Sequence, residues 1–278
     1  ITRLIIINAA VFVLLHIVLI AATLFNADAS AFINYLALPA DLYQLAGKPW
    51  TLITYMFMHQ DFFHILFNML TLYWFGKIFL FSFTEKQLTG LYLAGGLLAA
   101  LFYILALNFF PYFEPVVPVT ILMGASGSIM AVIIAAALRS PDLEVRLLLI
   151  GAVKMKYIAL ATVLISFFGI TGKNAGGELA HLGGALCGYF FVVSLRKGND
   201  ITRWINFLLD KLTDLFRPRK LKTTGRKQND ARKMTDAEFN MNKARNMAEI
   251  DKILDKIKKS GYDSLSAEEK RKLFDQKK

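Results

Sequence analysis

Ser126 stands between Gly124 and Gly127 at the opening of an apolar run. His181 opens another such run, with Gly184 and Gly188 three and seven residues further on. His64 and Asn68 are four apart, which puts them on one face of a helix, and His59 lies just before it. These are residue types that can carry acyl transfer. An imidazole can take the proton of a serine hydroxyl as the oxygen attacks a carbonyl, then return it to the leaving amine. The tetrahedral oxyanion needs donors aimed at it, here the Ser126 backbone N–H at a helix start with the His64 and Asn68 side chains. No aspartate falls where it could complete a triad, so the expected unit is a Ser–His dyad. Glu178, one turn outward of His181, has two readings: it can hydrogen-bond His181, or, the favoured one, it stands in water at the helix start, where the helix dipole favours an acid. Plainer readings stand beside these. His59, His64 and Asn68 also suit polar packing near an interface, and the glycines suit a small-residue seam between membrane helices. His16 reads as a hydrogen-bonded core histidine and Cys187, the single cysteine, as a small packing residue.

The elements that must position these groups are apolar. The 278 residues are 55% hydrophobic and 19% charged, below the charge share of about 25% usual for soluble domains. Charge is segregated: residues 196–278 hold 23 of the 32 Lys and Arg and 13 of the 21 acids. That division excludes a single soluble domain, disorder throughout and a disulfide scaffold.

Six stretches are long and apolar enough to cross a hydrocarbon core about 30 Å thick. They are 4–25, 62–83, 88–109, 121–138, 157–170 extended back to 147, and 179–195. Lys154 and Lys156 belong at the interface, since a lysine pair is expensive in lipid, and the fifth span is expected to start there. The basic residues flanking the runs, with the tail, place both termini on the cytoplasmic side. Runs two, four and six then enter from the outer face, which puts Ser126, His181, His64 and Asn68 at one depth. On this reading Ser126 lies about 8 Å below Ile121 along a helix.

Three domains are expected: a six-span body at 1–195, an amphipathic helix and basic linker at 196–235, and a small helical extension at 236–278. Ile201, Trp204, Ile205, Leu208, Leu212 and Leu215 recur at helical spacing, which suits the inner membrane surface. The basic stretch 217–233 suits anionic lipid. Residues 236–278 read as two short helices, with Ser266 and Glu269 spaced for a capping box. Acids interleave the bases, and no nucleic-acid-binding module is recognisable, so no nucleic-acid partner is expected.

His59, His64 and Asn68, then Gly124, Ser126 and Gly127, then Ala180, His181, Gly184 and Gly188 resemble, in order and spacing, the motifs of the rhomboid family of intramembrane serine proteases. The resemblance covers about residues 1–195. It implies an all-α, six-transmembrane-helix bundle, here with a helical cytoplasmic tail. It also implies Ser126 as nucleophile, His181 as base, and an oxyanion hole of His64, Asn68 and the Ser126 backbone. Single-span membrane proteins would be the substrates, and no cofactor or metal would be needed. The loop 26–61 would match the family's lateral loop. Two positions depart from the pattern. Met130 stands where many bacterial members carry a tyrosine stacked on the histidine, and Trp50 is followed by Thr51 where arginine is common. The first apolar run is too long for a cleaved signal peptide and no transit signal is visible. The expected location is therefore a bacterial inner membrane.

Two other classes compete with a protease. One is a catalytically silent adaptor that binds transmembrane helices, against which the paired Ser126 and His181 argue. The other is a histidine metal site or transporter built on His59, His64 and His181. No Cys or acid joins those histidines at ligand spacing, and no inverted repeat is evident.

Overall fold

The computed structural model describes residues 1–147, 151–216 and 236–274. It divides into two units, Ile1–Arg217 and Pro218–Lys278.

The first unit is an all-α membrane bundle. Its helices are α1 (Thr2–Leu24), α2 (Ser30–Leu36), α3 (Leu42–Gly47), α4 (Thr51–Thr54), α5 (Phe62–Leu80), α6 (Glu85–Phe109), α7 (Ser126–Arg139), α8 (Met155–Phe168), α9 (Ala175–Arg196) and α10 (Arg203–Phe216). Among the described residues, four helices are long and apolar enough to span a bilayer: α1, α5, α6 and α9. The apolar helices α7 and α8 are shorter, at 14 residues each.

The bundle is built around α7, which is buried from Gly127 through Ala137. Its side chains are small or β-branched, so α6 and α9 can close on it from two sides. At the α7–α9 contact a methyl placed on Gly184 would overlap the Gly127 carbonyl oxygen, and one on Gly188 would overlap that of Ala131. On the α6 side, Gly95 and Gly96 admit Ala131 and Ser128 in the same way. Lipid supplies no hydrophobic drive between helices, so this backbone-to-backbone fit is what membrane helices rely on to associate.

Helix starts are fixed by local chemistry. Asp61 accepts the His64 backbone N–H at 2.9 Å and begins α5. Thr84 and Gln87 form a reciprocal capping box for α6. One departure from the sequence expectation follows from backbone conformation. The run expected as one helix from 121 opens instead as a strand, β2 (Ile121–Leu122), paired antiparallel with β1 (Leu38–Pro39). Gly124 then turns the chain at φ +132°, a conformation no helix accommodates, and α7 starts at Ser126. The helix of the fifth run, α8, starts at Met155, between the two lysines as expected, and does not extend back to 147. Residues Glu144–Leu147 (β3) and Gly151–Lys154 (β4) pair as an antiparallel hairpin. Charges at Glu144, Arg146 and Lys154 make a continuous lipid-facing helix there costly. Lys154 and Lys156 instead pair with exposed Asp142 at 3.3 and 2.8 Å. These bonds hold the Asp142 carboxyl below its usual range.

Three buried tyrosines fasten the chain around the start of α7. Tyr55 Oη donates to the Gly96 carbonyl at 2.6 Å, Tyr92 to Met56 at 2.9 Å, and Tyr103 to Thr120 at 3.0 Å. His16 finds its hydrogen bond within its own helix, to the Phe12 carbonyl at 2.9 Å. Cys187 is buried and free.

Helix α10 belongs to the first unit. Lys86 reaches Asp210 at 2.7 Å and Gln87 reaches Asp200 at 3.0 Å. Ile205 turns inward while Trp204, Phe207, Leu208 and Leu212 are exposed, one face left apolar. The basic stretch 217–233 lies outside the described residues.

In the second unit α11 (Asp236–Ser260) runs 25 residues, longer than the short helix expected. It is followed by α12 (Ala267–Phe274), where Ser266 and Glu269 exchange the two bonds of a capping box. Ile253 and Leu265 are buried there.

Gly188→Leu drives a four-carbon side chain into the Ala131 backbone. The variant is expected to lose several kcal/mol of thermal stability in detergent, beyond the 1–3 kcal/mol typical of core overpacking, because backbone cannot give way as a side chain can. Unfolding at the wild-type temperature would contradict the seam.

Candidate active site

The closeness of α7 and α9 decides what meets at their openings. Ser126 is the first residue of α7 and His181 lies in the second turn of α9. Ser126 Oγ and His181 Nε2 are 2.8 Å apart, hydrogen-bonding distance for a hydroxyl donating to an imidazole nitrogen. The backbone N–H of Ser126 is among the first four of its helix, which have no partner within the helix.

A furrow opens over this pair between α5, α7, α8 and α9. It is lined by Asn68, Ser126, Met130, Ser166, Glu178 and His181 among apolar neighbours that include Phe67, Ile133 and Ile165. Phe67 on α5 and Ile165 on α8 are exposed at its rim. Asn68 Nδ2 donates one hydrogen to the His64 carbonyl at 2.8 Å. An amide carries two hydrogens, so the second remains for a ligand.

His64 joins from the same helix. The Gln60 backbone N–H donates to His64 Nδ1 at 3.4 Å, which leaves Nε2 to carry the ring proton. A methyl placed on Gly124 would lie 2.9 Å from His64 Nε2 and 3.8 Å from Ser126 Oγ. Gly124 therefore has two reasons to lack a side chain: its positive φ, and the convergence of these groups on the space a Cβ would fill. Gly127 meets Ala99 and the Ala180 carbonyl, and its own carbonyl faces Gly184. It serves the seam. His59 sits before α5, fully buried, its ring edge-on to His64 at 5.0 Å between centroids. Met130 is buried and lines the furrow.

Glu178 takes the less favoured of its two expected placements. Its carboxylate is turned onto His181. Oε2 lies 3.2 Å from His181 Nδ1, and the Glu178 and His181 side chains are 18% and 22% exposed. Ser166 Oγ also lies 3.2 Å from Nδ1 and is buried. The i to i+3 spacing of Glu178 and His181 carried the signal for this contact. Nothing in the sequence ties Ser166 to either residue, because α8 reaches them only through tertiary packing. No group of three or more His, Cys, Asp or Glu able to hold a metal occurs among the described residues.

Comparison with known proteins covers both units. A family model described as Rhomboid domain matches residues 46–198. A second, a family of unknown function (DUF6576), matches residues 233–275. The chain is 29% identical over 162 residues to RHOMBOID-like protein 12, mitochondrial, of Arabidopsis thaliana. That alignment covers 55% of this chain and 48% of the plant protein, so the chain matches about half of its relative's length.

Gly124→Ala forces an L-residue to φ +132° and crowds His64. It is expected to lower stability by about 1–3 kcal/mol. Thermal unfolding equal to wild type would show that the turn is not held as described.

Proposed function

The chain belongs to the rhomboid family, and on that premise we propose that it is an intramembrane serine endopeptidase acting on single-span membrane proteins. The 2.8 Å approach of Ser126 Oγ to His181 Nε2, at the floor of a furrow whose mouth lies between α5 and α8, carries this reading. A substrate segment entering that mouth would be unwound, since an intact helix keeps its carbonyls in its own hydrogen bonds.

Ser126 Oγ then attacks the scissile carbonyl as its proton passes to His181 Nε2. An Oγ–C bond forms and the carbonyl becomes an oxyanion. The Ser126 N–H, the free Asn68 amide hydrogen and His64 Nε2–H are the donors for that charge. His181 returns the proton to the amide nitrogen, the C–N bond breaks, and the new amino terminus leaves. Water attacks the acyl-enzyme, His181 takes its proton, and collapse frees the carboxyl product and the Ser126 hydroxyl. No cofactor enters these steps. In this reading the protein lies in a bacterial inner membrane with both termini cytoplasmic. The 26–61 segment and the start of α9 cover the site from outside. The face of α10 left apolar rests on the inner leaflet, with the 217–233 bases toward anionic lipid.

The test is labelling of the detergent-purified chain by a fluorophosphonate, beside Ser126→Ala and His181→Ala. Wild type is expected to label and both variants to fail, with all three folded. Folded wild type that stays unlabelled would overturn the reading and favour a silent helix-binding adaptor. Asn68→Ala is expected to slow cleavage of a single-span substrate by about 10²–10³-fold. An unchanged rate removes Asn68 from the oxyanion site.

A further inference from the structure

Glu178 and Ser166 take no part in the steps above, yet both lie against the ring nitrogen of His181 that faces away from Ser126. An acid in the first turn of a helix is commonly there for the helix dipole and points to water. Glu178 does not. Its carboxylate meets Nδ1 at 3.2 Å and its side chain is 18% exposed. Its stem lies on Gly169, where a methyl would fall 2.8 Å from Glu178 Cγ and 3.1 Å from Cδ. Buried Ser166 comes from α8 to the same nitrogen. The half-buried carboxylate thus faces an imidazole rather than open solvent, and His181 is the partner the fold provides.

The acceptor chemistry sets the ring's state. A carboxylate can only accept, so Nδ1 must carry the imidazole's proton and Nε2 must be the bare nitrogen. That is the one neutral tautomer in which His181 can take the proton of Ser126. We infer that Glu178 is the positioning residue of this active site, its carboxylate fixing the tautomer and rotation of His181, with Ser166 and Gly169 holding it in place. This rests on the protease reading and extends the expected Ser–His dyad to a Ser126–His181–Glu178 triad. The carboxylate also faces the imidazolium that forms when Ser126 attacks. It stabilises that cation without taking its proton. Met130 offers the ring no flat surface to stack on, so orientation falls to the acid behind it.

The experiment compares full-length wild type with Ser126→Ala, Glu178→Gln and Gly169→Ala. Glu178→Gln keeps shape and volume, and Gly169→Ala touches neither reacting atom but displaces the Glu178 stem. Cleavage kinetics, fluorophosphonate labelling rate and the ¹⁵N spectrum of histidine-labelled protein are read on each. The expected result for Glu178→Gln is a fall in kcat of about a hundredfold or more, below the roughly 10⁴-fold of a fully buried triad. KM and the thermal unfolding temperature should stay near wild type. The His181 signal should change from a single Nδ1–H tautomer to a mixture. Gly169→Ala should fall between the two. A Glu178→Gln protein that labels within threefold of wild type, or whose His181 keeps the wild-type tautomer, overturns the inference. Wild type that neither labels nor cleaves, while its His181 tautomer still depends on Glu178, sinks the protease reading and leaves the positioning role standing.

Discussion

The backbone contact between α7 and α9 is the constraint on which the rest of this structure depends. The Gly127 and Ala131 carbonyls lie against Gly184 and Gly188 with no room for a side chain between them. In a bilayer, where apolar side chains gain nothing by leaving lipid, such close packing supplies much of the attraction between helices. Here it also sets the reach of the chemistry. A serine hydroxyl and an imidazole are short groups, and they meet at 2.8 Å only because the two helix axes come this near. The same small residues serve association and alignment, so a substitution in the seam strikes both.

The seam alone would leave the nucleophile's surroundings loose. The chain before α7 is fastened by backbone and phenol contacts instead. Gly124 N–H donates to the Tyr55 carbonyl at 3.0 Å, β2 pairs with β1, and Tyr103 holds the Thr120 carbonyl. The Leu38–Tyr55 stretch and the approach to Ser126 are thereby one hydrogen-bonded unit. Glycine at 124 lets that unit turn sharply into the helix and leaves His64 and Ser126 facing a common space.

Much of this was legible in the sequence. Hydropathy located the long helices, and four-residue spacings put His64 with Asn68 and Gly184 with Gly188. What hydropathy could not give is the state of a short apolar run. Residues 121–125 are as apolar as a helix start, but pairing with Leu38 and Pro39, some eighty residues away, makes Ile121 and Leu122 extended, and Gly124 delays the helix to Ser126. The 144–154 hairpin was hidden similarly, and its charged residues were the available hint. Glu178 was weighed by its place on the helix, which favoured water. Its true environment depends on Gly169 and on Ser166 of α8, neither of which its own helix could announce.

Helix lengths carry a further consequence. α7 and α9 run parallel, and their C-terminal ends are level, where the Arg196 guanidinium closes on the Leu138 carbonyl. α9 has 22 residues and α7 has 14, so α9 overshoots α7 by about 12 Å, all of it at the Ser126 end. α7 is cut short, as is α8 at 14 residues, while α5, α6 and α9 run to 19, 25 and 22. The longer helices thus stand past Ser126, which lies on the floor of the furrow. The Ser126 backbone N–H, which has no partner within α7, therefore sits about two helical turns inside the end of α9 rather than at the rim of the bundle.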